Sequence, residues 1–256
     1  MAIQKTQAIL LAKKEIRQTS CIVSFYTKDF GKIKGLIKGV RGKQAVFGLY
    51  LQEFSVYDIV YYEKKHRDIH TISECDFKQA FRALNSSFER RLWAYYALEL
   101  TDRLTPLEDK NAKVYELLLD TLNSLNTGQY VDKAIIAFQI KFLEYQGYMP
   151  QLESCVNCGG KLPQDARFSV RLGGLLCAKC FSADIQSFGA TQGAVFSMKK
   201  LVQTQFSDMP RISIGEKLRD EIAILLDRFI LYQTGEHLKT KRFIQNVIAS
   251  EAPACR

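Results

Sequence analysis

Residues 21–40, CIVSFYTKDFGKIKGLIKGV, describe two β-strands folded about one turn. Cys21–Thr27 is dense in β-branched and aromatic residues, Lys28-Asp29-Phe30-Gly31 has turn composition, and Lys32–Val40 resumes the strand pattern. Gln7–Lys14 reads as a strand before this hairpin. After it, a loop rich in glycine and charge, Arg41-Gly42-Lys43, leads to EFSVYDIVYYE (Glu53–Glu63) and then to the alternating DIHTISEC (Asp68–Cys75). Five strands with no helix between them predict a small closed or partly open barrel.

The five-stranded oligonucleotide-binding (OB) barrel fits that count. From about Phe77 the periodicity becomes helical. Phe81, Leu84, Phe88, Leu92, Tyr95, Tyr96 and Leu100 recur at helical spacing up to Thr105-Pro106. A second helix is predicted over Ala112–Leu125, with Gly128 beyond its end, and a third over Asp132–Gln146, stopped by Gly147 and Pro150. Further on, Thr191 is placed to cap a helix running to about Phe206, and an amphipathic stretch covers Gly215–Thr234 before Gly235. The last residues, Ala249–Arg256, lack periodicity and read as frayed.

Four cysteines interrupt this helical run: Cys155 and Cys158, then Cys177 and Cys180. Two Cys-x2-Cys knuckles at this separation fit one tetrahedral Zn²⁺, the alternatives being two disulfides or four free thiols. Arg167–Cys177, with Gly173–Gly174, reads as a hairpin returning the second knuckle to the first. Four protein sulfurs leave no position for an activated water, so the zinc is expected to be structural. The expected fold class is α+β and multi-domain: an OB-fold barrel over residues 1–80, then a helical domain (81–150 and 185–245) interrupted by the zinc module (151–184), with a flexible tail over 246–256. One helical domain built from both flanks of a projecting module is the expected arrangement.

The formal charge is +9 and unevenly spread. Residues 1–80 hold fourteen Lys/Arg against eight Asp/Glu, residues 81–150 eight against nine, and residues 151–256 fourteen against ten. A basic excess gathered at both ends implies a polyanionic partner. Its densest part carries Lys28, Lys32, Lys34, Lys38, Arg41 and Lys43 against the single acid Asp29. Lys32, Lys34 and Lys38 share strand parity, and Arg41 and Lys43 extend the stripe into the loop, a pattern suited to tracking a sugar-phosphate backbone. Phe47, Tyr50, Tyr57, Tyr61 and Tyr62 are either barrel core or stacking surfaces for unpaired bases. Lys239, Lys241 and Arg242 form a second basic cluster after Gly235, read equally as DNA contacts or as charges favoured by a helix C-terminus.

Several apparent motifs carry no chemistry. GLIKGVRGKQ (Gly35–Gln44) has Ile37 where a phosphate loop needs its first glycine, and Gln44 where it needs Ser or Thr. His66 and His70 are four apart, but on a strand edge rather than a helix. Asp102, Glu108, Asp109 and Glu116 form no two-metal constellation, and no serine nucleophile elbow occurs. The N-terminus has no secretory signal, and the scattered Cys21, Cys75 and Cys255 suit a reducing compartment, so the cytoplasm is the expected location, at the nucleoid when DNA is bound.

Together these pieces resemble the bacterial recombination mediator family RecO, from about Thr6 to Phe243. The resemblance is carried by Phe25–Lys32, Lys38–Arg41, Phe47-Gly48, Leu51-Gln52 and Phe54 in the barrel. It continues through Leu143–Tyr148 with Pro150, Cys155–Gly159, Phe168-Ser169, Gly173-Gly174, Leu176-Cys177 and Leu238–Phe243. It implies a non-enzymatic factor of the RecF pathway that binds single- and double-stranded DNA and anneals complementary strands. It also implies that, with RecR, the protein helps load RecA on DNA coated by single-stranded-DNA-binding protein (SSB), whose acidic C-terminal tail docks on the helical domain. Some relatives lack the cysteines. The competing reading is a zinc-ribbon transcription or RNA-binding factor, which would need sequence-selective binding; no helix-turn-helix signature supports it.

Overall fold

The computed structural model describes residues 2–17, 20–38, 51–64, 67–128, 130–235 and 237–251. Five strands open the chain: β1 (Ile3–Arg17), β2 (Ser20–Thr27), β3 (Gly31–Lys38), β4 (Ser55–Tyr62) and β5 (Ile69–Ala80). They close into a barrel in the order β1-β2-β3-β5-β4, with β4 returning to β1. Every neighbouring pair is antiparallel except β3 with β5. The β3–β5 closure is short, Lys34–Leu36 against Ile69–Thr71. The interior is filled from alternate positions by Val23, Phe25, Ile33, Ile37, Ile59 and Ile72. Tyr57 and Tyr61, both 3% exposed, belong to this core, so they are not base-stacking surfaces; Tyr62 is exposed. Phe47 and Tyr50 lie outside the described residues.

The barrel leads through a 3-10 turn (Arg82–Ser86) into α1 (Phe88–Leu104) and α2 (Ala112–Thr127). Each starts where a side chain satisfies an orphan amide: Ser87 accepts from the Arg90 N–H and Asn111 from the Val114 N–H. Both helices go with the barrel. The chain forms two compact units, residues 1–129 with 240–256, and residues 130–239. The second unit takes in helices from both flanks of the cysteine module, Val131–Tyr145 before it and Gln192–Gln203 and Glu216–Thr234 after it. What pulls α1 and α2 to the barrel is burial on the outside of β2, where Ser24, Phe25, Tyr26 and Thr27 are buried in succession rather than alternately. Gly31 accommodates the close approach: its φ is +68°, and a Cβ there would stand 2.0 Å from the Asp109 carbonyl oxygen.

The second unit is built on α3 (Val131–Tyr145), whose residues 134–143 are all buried, as expected for a central helix. Its one buried cation, Lys141, donates to the Val202 carbonyl and to Glu144 (3.3 Å). A three-stranded sheet follows, β6 (Asp165–Ser169), β7 (Gly174–Leu176) and β8 (Phe188–Thr191), in the order β7-β6-β8. β6 and β7 form the predicted hairpin, and β8 feeds directly into α4 (Gln192–Gln203), whose first turn Thr191 caps through the Ala194 N–H. α5 (Glu216–Thr234) ends on left-handed Gly235. The sheet packs on α5: Phe168 of β6 meets Phe229 of α5 edge-on at 5.8 Å, and the Arg228 guanidinium lies 4.3 Å over Phe188.

The chain also departs from expectation at its end. Lys239–Glu251 is a helix, α6, where the sequence pattern suggested a tail from 246. Ile244 is buried on it, while residues 252–256 lie outside the described residues.

Candidate functional site

The basic stripe is divided by the helices that dock on the barrel. Parity is as expected: Ile33, Gly35 and Ile37 point inward, so Lys32, Lys34, Leu36 and Lys38 share the outer face of β3. Lys32 is nevertheless buried. Its Nζ donates to the Asp102 carbonyl oxygen in α1 and stands 3.9 Å from that residue's carboxylate, which also accepts from Ser24 Oγ at 2.7 Å. Burial lowers the Lys32 pKa, Asp102 opposes the shift, and Lys34 and Arg103 add to it. Lys28 is likewise engaged, 3.1 Å from Glu116 of α2. Lys32 is therefore a strut between barrel and helix rather than an open cation. Lys32→Met is expected to cost about 1–3 kcal/mol in urea unfolding, because Asp102 loses its partner, and to leave the salt dependence of any DNA binding unchanged.

Beyond this covered end the outer face of β2 and β3 is open. Lys34 and Lys38 are exposed, and half-buried Leu36 lies between them. Strand register adds a cation that the sequence pattern missed. Lys14 pairs with Ile22, and Ile22 pairs with Leu36, so Lys14, Ile22 and Leu36 form one row across three strands. Three exposed lysines thus surround an apolar strip on the face that OB barrels use for oligonucleotides. Only pairing register reveals Lys14, because its neighbours in sequence are remote from β3. Exposed Arg103, in the last turn of α1, adds to the positive field at the edge of this face. Arg41 and Lys43 lie outside the described residues.

The second basic cluster is reassigned. Lys239, Lys241 and Arg242 occupy the first turn of α6, so the helix-dipole explanation fails: a helix N-terminus disfavours positive charge. Lys239 and Arg242 are exposed, and the Lys241 ammonium lies 5.0 Å over Trp93 and 5.9 Å over Tyr96. Asp102, Glu108 and Glu116, with His70, are engaged in structural contacts. Nε2 of buried His70 lies 2.7 Å from Glu108 Oε1, its Nδ1 accepts from the Lys64 N–H, and Tyr61 stacks on its ring at 5.2 Å. With both ring nitrogens used, His70 has none left for a metal. His66 lies outside the described residues.

The four cysteines converge. The Sγ atoms of Cys155, Cys158, Cys177 and Cys180 all lie within 4.8 Å of one another, and those of Cys158 and Cys177 are 3.7 Å apart. Sulfurs bound at about 2.3 Å to a tetrahedral ion stand about 3.8 Å apart, so the cluster fits a metal ion. Left-handed Gly159 (φ +70°) turns the first knuckle, with the Gly159 N–H donating to the Cys155 carbonyl at 2.8 Å. The Cys180 N–H closes the second knuckle onto the Cys177 carbonyl at 2.8 Å. Burial disfavours charge on Cys155, but the N–H groups of Cys177, Cys158 and Asn157 outweigh it and bring its pKa down to about 6. At Cys180 the Asn157 amide favours the thiolate, yet the neighbouring thiols push its pKa up to about 11. Once one sulfur is ionised, its neighbours resist ionising without a cation between them.

The comparisons with known proteins agree with this architecture. Residues 1–81 match the family model described as Recombination protein O N terminal, and residues 85–242 match Recombination protein O C terminal. The DNA repair protein RecO of Pelotomaculum thermopropionicum is 28% identical, over 99% of this chain and 97% of that one. The RecO of Caldicellulosiruptor bescii is 30% identical over 96% and 100%, and that of Bacillus pumilus 26% over 95% and 94%. With a five-stranded barrel, helices and a cysteine cluster all in the matched regions, the chain belongs to the Recombination protein O (RecO) family of DNA repair proteins.

Proposed function

We propose that this chain is a non-enzymatic recombination mediator that binds single- and double-stranded DNA and anneals complementary strands. In this reading it acts in the RecF pathway, in the cytoplasm, and with RecR helps load RecA on SSB-coated DNA. The observation that carries the proposal is the open end of the β2–β3 face, where Lys14, Lys34 and Lys38 ring Ile22 and Leu36. Two polyanionic strands repel, and a protein that presents lysines to both lowers that barrier without ATP or a covalent step.

Zinc is the metal proposed for the cysteine cluster, since four thiolates at tetrahedral spacing suit it and leave no open coordination position. Its role is to hold the module together. A cavity of about 330 Å³ in residues 130–239 supports a docking place for the acidic SSB tail. Leu152, Leu162, Leu175 and Val195 supply apolar walls and Lys161 supplies positive charge, while Lys199 is paired with Glu153 of the same cavity at 2.7 Å. Among the described residues no helix is long and apolar enough to cross a membrane.

Annealing of two complementary oligonucleotides tests the proposal. The full chain, without nucleotide, is expected to accelerate duplex formation on naked strands and on strands coated with cognate SSB. No acceleration on either substrate overturns the annealing role.

A further inference from the structure

We infer a second single-strand site on the face shared by α1 and α6, where unpaired bases stack on Phe88 and Phe243 and Arg91 and Arg242 take the adjoining phosphates. It rests on the strand-annealing reading and gives the second strand a surface of its own. Phe88 and Phe243 meet edge to face, with ring centroids 6.2 Å apart and planes at 70°. Each is 49% exposed, whereas the core rings of Phe25, Phe138 and Phe142 are at 0%. A large aromatic pair left half in water is poorly explained by packing, because half its apolar surface contributes nothing to folding.

Cations interleave with the rings. The Arg91 guanidinium, one turn along α1, lies 5.7 Å from the Phe88 ring. Arg242 is exposed beside Phe243, and Lys241 reaches across to Trp93. The first turn of α6 carries cations and no acid of its own, and Glu99 of α1 meets it instead, its carboxylate accepting from the Thr240 N–H at 2.9 Å and from the Thr240 hydroxyl at 2.5 Å. Exposed rings alternating with guanidinium groups are the chemistry of sequence-tolerant single-strand binding: every base has a π-face, and arginine takes both phosphate and ring. A duplex keeps its base faces stacked inside and has nothing to offer the phenyl rings.

Trp93 makes the site readable. It is the chain's only tryptophan, and its ring lies beneath Lys241. Oligothymidylate added to the full chain is expected to quench Trp93 emission, and an abasic strand of equal length to bind about tenfold more weakly. The variant Phe88→Leu with Phe243→Leu keeps apolar bulk but removes the π-faces. It is expected to lose about tenfold in oligothymidylate affinity, to bind the abasic strand as the parent does, and to keep duplex affinity. Circular dichroism melting checks its fold, and Phe88→Tyr with Phe243→Tyr is expected to restore affinity.

Parent-like oligothymidylate affinity in the leucine variant overturns the site, as does Trp93 emission unmoved by saturating strand. Polyglutamate quenching as effectively as oligothymidylate at equal charge overturns it too, in favour of an acidic protein segment. Any of these leaves the barrel-face reading standing. Failure of the parent chain to bind oligothymidylate at all removes the reading on which the inference rests.

Discussion

Cys155→Ser combined with Cys177→Ser is expected to leave the purified protein without bound metal and its cysteine module unfolded. One ligand is lost from each knuckle, and a serine hydroxyl does not replace a thiolate at neutral pH. The ion's contribution to a structural site of this kind is on the order of 10–16 kcal/mol, larger than any other single contribution available to the module. Around the sulfurs themselves apolar support is slight: Cys155, Leu176, Cys177 and Cys180 are packed by the partly buried Val156, Leu162, Leu172 and Phe181. Elemental analysis is expected to fall from about one zinc per chain to none. Limited proteolysis is expected to move to residues 151–187 while the barrel stays resistant. Acid acts the same way, because thiolates must be protonated before the ion leaves, so affinity for metal falls as pH falls. A double variant that retains metal would refute the four-sulfur site. One that loses metal but keeps its protease resistance would show that the module folds on its apolar contacts alone.

Lys14→Ala, Lys34→Ala and Lys38→Ala together are expected to lower single-strand affinity roughly a hundredfold at low salt, and to reduce the slope of log affinity against log salt by about two. Each phosphate contact releases condensed counterion, about 0.7 per contact on a single strand, so three lost contacts give that change. Weakening is expected to be uniform across sequences, since lysines on a strand face hold phosphates rather than base edges. Lys32→Met supplies the contrast, because it removes a cation from the same strand and parity that is already committed to Asp102. An unchanged slope in the triple variant with normal folding would move the binding face elsewhere. A reduced slope in Lys32→Met would mean that its burial gives way when DNA binds.

Much of the architecture was legible because its signals are local. Aromatic and β-branched density in EFSVYDIVYYE and alternation in DIHTISEC identified strands, and helical spacing with Thr191, Gly128, Gly147 and Gly235 at the ends located helices, although the first begins at Phe88 rather than near Phe81. The last helix was missed. Its apolar spacing is short and its first turn is crowded with cations, which runs against the charge pattern that usually marks a helix start. The cysteine cluster was legible for a different reason: two tight knuckles carry most of their own geometry, so spacing along the chain nearly suffices.

The candidate interface was only half legible. Parity correctly put Lys32, Lys34 and Lys38 on one face, since side-chain direction in a strand depends on the strand alone. Whether that face meets water depends on what packs over it, and Asp102 lies seventy positions from Lys32 along the chain. The docking of α1 and α2 covers Lys32 and Tyr26, while cross-strand register brings Lys14 into the row of Ile22 and Leu36. The sequence by itself determined the barrel, the helices before the last one and the four converging sulfurs, because those follow from short-range periodicity and spacing. Only the tertiary structure decided which lysines stay open and which aromatic rings stand half in solvent, because burial is a property of contacts between segments far apart in the chain.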